Sequence, residues 1–292
     1  MICFGCPRHC GALRTENTPS SGFCKMPYNA VLARAALHQW EEPPISGKNG
    51  SGAIFFSGCS LRCVFCQNEE ISHGGVGKPV SRERFIEIMQ ELESQGAHNI
   101  NLVNPTHFTA FLVDVLSTYK PSVPVVYNTG GYDSVESLKA LEGLIDIYLP
   151  DFKYASPAAA KKYAAAPDYP ERAKAAILEM RRQTKDRFSD DGMMLEGLII
   201  RHLVLPKNTA ESIEILRWIS ENLSKDTYIS LMSQYTPCGR TYAYKELNRR
   251  LTSAEYDKVL NAFFDLGLHN GFMQERTAAD TCFIPAFDLT GV

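Results

Sequence analysis

Three cysteines placed directly after a short apolar run limit what this chain can be more than any other feature. The run Ala53–Phe56 leads into Ser57-Gly58-Cys59-Ser60-Leu61-Arg62-Cys63-Val64-Phe65-Cys66-Gln67-Asn68, a C-x3-C-x2-C spacing. An apolar run of this length bounded by glycine reads as a buried strand, so the cysteines sit on the loop leaving its C-terminal end. In parallel α/β folds that end is where active sites gather. Three thiolates can bind three irons of a four-iron cluster and leave the fourth iron open to another ligand. Zinc is the alternative, but a structural zinc site wants a fourth ligand nearby, and His73 is poorly spaced for it.

The rest of the sequence favours a parallel sheet. Apolar runs at Ala53–Phe56, Asn99–Val103, Val123–Tyr127, Ile145–Leu149, Leu198–Leu205 and Thr227–Met232 alternate with amphipathic stretches. These stretches are Ser81–Ser94, His107–Tyr119, Ser134–Leu141, Pro170–Lys185, Thr209–Asn222 and Ser253–Leu266, and Ser81 and Ser134 stand as N-caps. Ser156–Ala166 reads as an exposed helix. Nearly continuous apolar strands, each followed by a helix, imply βα units covered on both faces. We therefore expect an α/β fold, a partial (β/α)6 TIM-like barrel; a doubly wound open sheet is the alternative. The expected division is a cysteine-rich metal-binding module over 1–51, the barrel over 52–270 and a C-terminal extension packed on it over 271–292.

Composition narrows the setting. With 30 Lys and Arg against 33 Asp and Glu, the formal net charge is -3, which offers no basic footprint for nucleic acid. No apolar run reaches the roughly 18 residues of a membrane span, and the start Met-Ile-Cys-Phe-Gly-Cys lacks a secretory layout. A cytoplasmic setting is expected. There, nine cysteines, an odd number, read as metal ligands or catalytic thiols rather than disulfides. Cys3, Cys6, Cys10 and Cys24 supply four thiolates, enough for a closed iron–sulfur cluster or a zinc site. Cys3 lies so near the start that a longer natural chain is also expected. Cys238 and Cys282 read as packed thiols outside both groups.

The pattern C-x3-C-x-aromatic-C on a first βα loop resembles the radical S-adenosylmethionine (SAM) superfamily. Leu149-Pro150-Asp151-Phe152-Lys153 and the Cys-Gln-Asn ending are similar to the pyruvate formate-lyase activating enzymes. Cys6-Pro7-Arg8-His9-Cys10-Gly11, Trp40-Glu41-Glu42-Pro43, Asn104-Pro105-Thr106-His107, Ile200-Arg201-His202-Leu203 and Gln234-Tyr235 resemble their PflX-like homologues. The resemblance implies a [4Fe-4S] cluster on Cys59, Cys63 and Cys66 with SAM on its open iron. It also implies hydrogen abstraction by a 5′-deoxyadenosyl radical, an electron donor such as flavodoxin or ferredoxin, and a glycyl radical enzyme as substrate. A small metabolite or another macromolecule is the alternative substrate. A non-catalytic iron–sulfur or zinc protein is the reading from a different class.

Site residues follow from the same likeness. Phe65 is expected against the adenine or cluster, or simply packed in its loop. Arg201, inside an apolar run, needs an anionic partner: the SAM carboxylate or ribose region, or alternatively an ion pair from a neighbouring strand. Asp151 and Lys153 point the same way from a strand end. Thr129 and Gly130 follow the third strand, near a monovalent cation in relatives, with Asn128 where an aspartate often stands. Asn104 and Thr106 replace a Gly-Gly-Glu tract that binds the SAM amino group, and Gln234 replaces a SAM-contacting histidine.

Overall fold

A computed structural model describes residues 1–273 and 285–292. Its strands are β1 (Val31–His38), β2 (Ser51–Phe56), β3 (Lys78–Pro79), β4 (Ile100–Val103), β5 (Val125–Thr129), β6 (Ile147–Pro150), β7 (Arg187–Phe188), β8 (Met194–Leu203), β9 (Tyr228–Met232) and β10 (Gly271–Met273). The helices are α1 (Pro43–Ser46), α2 (Glu69–Ser72), α3 (Arg82–Ser94), α4 (Thr109–Leu116), α5 (Val135–Ala140), α6 (Pro157–Ala164), α7 (Tyr169–Gln183), α8 (Thr209–Asn222) and α9 (Ser253–Asp265).

The sheet runs β10-β9-β8-β6-β5-β4-β2-β1-β3, with β7 paired to β8. From β2 to β10 every step along this path is parallel. Strand order rises without reversal, so every right-handed crossover returns on the same face. A doubly wound sheet needs a reversal point, and none occurs. The result is an open, incomplete barrel in which, among the described residues, no pairing joins β10 to β3.

Strand alternation sorts the side chains into two layers. Ile54, Leu102, Tyr127, Tyr148 and Ile200 face the helices in the main core. Val126, Ile147, Leu149 and Ile199 point inward and pack on Ile45 of α1, closing the barrel floor. Above that floor the inward positions turn polar: Asn101, Asn128 and Arg201. The caps at Ser81 and Ser134 are formed, accepting from the amides of Arg84 and Ser137.

Two boundaries differ from the sequence reading. Residues 31–38, expected in the cysteine module, form a sheet strand antiparallel to β2, and the β1–β2 connection fills the barrel floor. The Gly/Pro-rich surroundings hid the run Val31–His38. Residues 271–273, assigned to the extension, pair with β9 as a seventh parallel strand. Residues 285–292 lie along β1, where Leu289 N–H donates to Ala33 O and Ala35 N–H to Thr290 O. Helix α6 is half-buried rather than exposed, because Ala160, Tyr163 and Ala164 face the core.

Candidate active site

The loop after β2 is shaped by its backbone. Gly58 has φ 79, and a Cβ there would meet Met26 Cγ at 2.5 Å and His107 Nε2 at 3.1 Å. Only glycine fits that turn. His107 Nε2 donates to Ser57 O at 2.8 Å, Val64 N–H to Tyr163 O at 2.9 Å, and Arg240 N–H to Val64 O at 2.8 Å. His107, which opens the stretch His107–Tyr119, is therefore a buried brace for the loop.

Cys59, Cys63 and Cys66 line a cavity of about 550 Å³ that opens at the strand C-termini. Burial pushes the Cys59 thiol up to about 12 and that of Cys63 to about 11, with neighbouring thiols adding to the shift at Cys59. Such thiols stay protonated at neutral pH until a metal replaces the proton. Lys153 is the cation that pulls both back toward the thiolate form. The Leu61 amide donates to Cys59 Sγ at 3.3 Å, Asn104 Nδ2 lies 3.7 Å from the same sulfur, and Ser72 Oγ is 3.2 Å from Cys66 Sγ. Cys238 does not line the cavity and donates to Phe65 O at 3.2 Å. Cys282 lies outside the described residues.

The cavity brings together Asn104, Asn128, Thr129, Gly130, Asp151, Lys153, Arg201 and Gln234 as well as Phe65. Their contacts separate groups free to meet a ligand from groups already engaged. Arg201 donates Nε to Asp151 at 2.9 Å, one terminal nitrogen to Glu41 at 3.2 Å and the other to Asn128 Oδ1 at 2.6 Å. The chain's own Asp151 and Glu41 thus supply this guanidinium with anions, as the ion-pair alternative expects. Lys153 Nζ bonds Asp151 as well. Burial alone would raise the Asp151 carboxyl, but Arg201 and Lys153 hold it below the usual range. Burial raises Glu41, and Arg201 opposes the rise.

Thr106 does not reach the cavity wall. Its hydroxyl bonds Asn104 Oδ1 and Thr129 Oγ1, each at 2.9 Å. Thr129 Oγ1 in turn donates to Asp133 Oδ2 at 2.6 Å. Thr106, Thr129 and Asp133 therefore form a buried chain that fixes the backbone at Gly130, which faces the loop at Leu61. Phe65 packs edge-on against Tyr154 and Tyr235, at centroid distances of 6.5 and 6.0 Å. It both lines the cavity and packs within its loop.

Sequence reasoning missed Glu41 and Asp133 as site residues. Glu41 appeared only as part of a family likeness. A glutamate pair running into Pro43-Pro44 carries no periodic signal that would mark it as the plug of a barrel. Asp133 follows Gly130-Gly131-Tyr132, and its place beneath Thr129 depends on a turn that the sequence does not display.

Among the described residues, no three His, Cys, Asp or Glu side chains converge on a point that would hold a single metal ion. Three thiols on one loop at the cavity can bind three irons of a four-iron core.

Comparison with known proteins agrees with this donor set. The family model of the Radical SAM superfamily matches residues 53–219. An uncharacterized protein of Methanocaldococcus jannaschii is 31% identical over 268 residues, which is 88% of this chain and 73% of that protein. Streptococcus suis SuiB bound to precursor peptide SuiA is similar in fold, with a TM-score of 0.52 and 13% identity over 76% of this chain and 48% of that one. So is the FeFe-hydrogenase maturase HydG of Carboxydothermus hydrogenoformans, with a TM-score of 0.52 and 11% identity over 80% and 56% of the two chains. This chain spans about half the length of those solved structures.

Proposed function

The chain belongs to the radical SAM superfamily, and on that premise we propose that it is an enzyme that cleaves SAM reductively and abstracts hydrogen from a substrate carbon. A bound [4Fe-4S] cluster with SAM supplies a 5′-deoxyadenosyl radical. The observation that carries the reading is that three thiols line the cavity while Cys238, on the adjoining loop, is not in its wall and is bonded to Phe65 O. A donor set of three leaves one iron open.

The chain's own groups then have definable work. Lys153 places positive charge beside the cysteine loop and favours thiolates. Asn104 and Gln234 offer amides at the cavity wall to the amino and carboxylate groups of an amino-acid ligand. Gly130 admits close backbone approach. Glu41, Asp151, Lys153 and Arg201 form a charge-balanced frame beneath, and the β1–β2 connection with Ile45 excludes water from the floor. Because Lys153 and Arg201 already neutralise Asp151, the proposal does not include a monovalent cation.

For the substrate we propose a backbone glycine of a partner protein, as the likeness of Leu149–Lys153 and the PflX-like segments suggests, with flavodoxin or ferredoxin as electron donor. A cavity of about 550 Å³ is of the size that takes one small ligand and the tip of a peptide loop. The test is electron paramagnetic resonance on anaerobically reconstituted, reduced protein. Added SAM should change the cluster signal, and a partner protein should then acquire a glycyl radical. A cluster signal indifferent to SAM sinks the enzyme reading. A SAM response with the radical confined to a small metabolite removes only the activase role.

A further inference from the structure

Four more cysteines lie behind the cavity wall, on the coil that precedes β1. We propose that Cys3, Cys6, Cys10 and Cys24 hold a second, fully ligated [4Fe-4S] cluster whose buried counter-cation is Arg14.

Three short turns bring these residues together. The Cys3 amide donates to Ala12 O at 3.0 Å and the Arg14 amide to Met1 O at 2.8 Å, which folds the first strand-like stretch back on itself. His9 N–H closes on Cys6 O at 3.1 Å, and Lys25 N–H on Gly22 O at 3.0 Å. A Cβ on Gly22 would stand 3.1 Å from Cys10 Sγ, so the Cys10 thiol is seated against the turn that carries Cys24. None of the four is in a disulfide.

The backbone treats these sulfurs as it treats those of the cavity loop. The Arg8 amide is hydrogen-bonded to Cys6 and the Met26 amide to Cys24. At the same two-residue offset the Leu61 amide reaches Cys59 and the Asn68 amide reaches Cys66. Amides aimed at sulfur stabilise thiolate over thiol, which is what a metal ligand requires.

Arg14 supplies the independent observation. Its side chain is 5% exposed, and one terminal nitrogen lies 3.1 Å from Cys24 Sγ. The other terminal nitrogen is held by the carbonyls of His107 and Pro27. Its Nε is buried with no hydrogen-bond partner, and among the described residues no carboxylate pairs with it. A guanidinium buried without an anion is strongly unfavourable. Four thiols would leave it so. Four thiolates around a cluster core carry a net charge of about −2 and resolve the imbalance.

Among the described residues no three His, Cys, Asp or Glu side chains form a single-ion site, and a four-iron core spreads its thiolates further than the tetrahedral sulfurs of zinc.

The site abuts the cavity loop from behind. Arg8 donates Nε to Ser60 O at 2.8 Å and lies 3.9 Å over the Phe23 ring, and Arg62 reaches Phe23 O at 3.1 Å. Arg14 holds the carbonyl of His107, whose ring holds Ser57 O.

The protein, reconstituted anaerobically with iron and sulfide, decides the matter by iron, sulfide and zinc content. We expect about eight irons per chain in the wild type and about four in a Cys59→Ala/Cys63→Ala/Cys66→Ala variant, with zinc absent from both. A wild type with about four irons and a triple variant with none overturns the proposal, and so does one zinc per chain that survives in the triple variant. About four irons in both proteins would keep this site and remove the cavity cluster instead. If the triple variant does not fold, a Cys6→Ala/Cys10→Ala variant should fall from about eight irons to about four; no fall overturns the proposal. Arg14→Gln in the triple variant should shift the midpoint potential of the remaining cluster downward. An unchanged potential removes Arg14 from the site.

Discussion

The Glu41 carboxylate stands 3.2 Å from the Arg201 guanidinium, and this contact ties the loop leaving β1 to strand β8 across the barrel interior. Glu41 also accepts from Asn101 at 3.0 Å and Asn128 at 3.3 Å. Replacing Arg201 by Met removes the one guanidinium that, among the described residues, is bonded to both Asp151 and Glu41, leaving Lys153 on Asp151 and no cation on Glu41. We expect a loss of about 3–5 kcal/mol in urea unfolding. Glu41→Gln keeps the amide-compatible shape and leaves Arg201 paired to Asp151, so its loss should be smaller. Equal losses in the two variants would contradict this division of roles.

How much of this was legible in the sequence depended on local signals. Helix α8 was found to the residue, Thr209–Asn222, because its apolar period is unbroken. The cavity cysteines were found because their spacing is itself the chemistry. Arg201 was found as a buried charge, but its partner lay 160 residues away in a loop with no periodicity. Strand β1 was missed because turn-forming neighbours on both sides made its eight residues read as part of a coil. Which hydroxyl faces a ligand and which faces another hydroxyl, as at Thr106 and Thr129, is a property of packing alone.

Gly58 is a position where one methyl group should matter. At φ 79, with Met26 and His107 closing on the missing Cβ, Gly58→Ala forces the loop entrance to move. We expect a loss of about 1–3 kcal/mol in stability, together with reduced iron retention after gel filtration. Gly75, also at positive φ but with open space around it, serves as the control. Gly75→Ala should retain iron as the wild type does.

His202 gives the fold a dependence on pH. Its ring bridges Phe152 O at 2.6 Å and Ser212 Oγ at 2.8 Å, and burial lowers its pKa from 6.5 to about 4. The folded state therefore binds this proton less readily than the unfolded chain. Stability is intact above about pH 6.5 and is lost as pH falls toward 4, by about 3 kcal/mol over that window. Unfolding of the metal-free chain at pH 7 and pH 5 should show this slope, and His202→Asn should reduce it, leaving the part due to buried His107, whose pKa burial lowers to about 3. A slope unchanged by the substitution would rule out His202 as its origin.

Cys6 and Cys63 should separate structure from chemistry. Cys6→Ala removes a ligand from the group behind the cavity, so we expect a lower melting temperature and a modest fall in SAM cleavage. Cys63→Ala removes a ligand from the cavity itself and should leave cleavage at background while the fold persists. Equal loss of cleavage in both, with the cavity cluster retained in Cys6→Ala, would show that the rear group takes part in the reaction.

The proposed chemistry rests on an iron at the Cys59–Cys66 loop that is open to SAM. The most direct measurement is 5′-deoxyadenosine released by anaerobic, reduced protein supplied with SAM, quantified by chromatography beside the Cys63→Ala variant. We predict release in the wild type and none above background in the variant. A fully clustered wild type that releases no 5′-deoxyadenosine, or a variant that releases as much as the wild type, would contradict it.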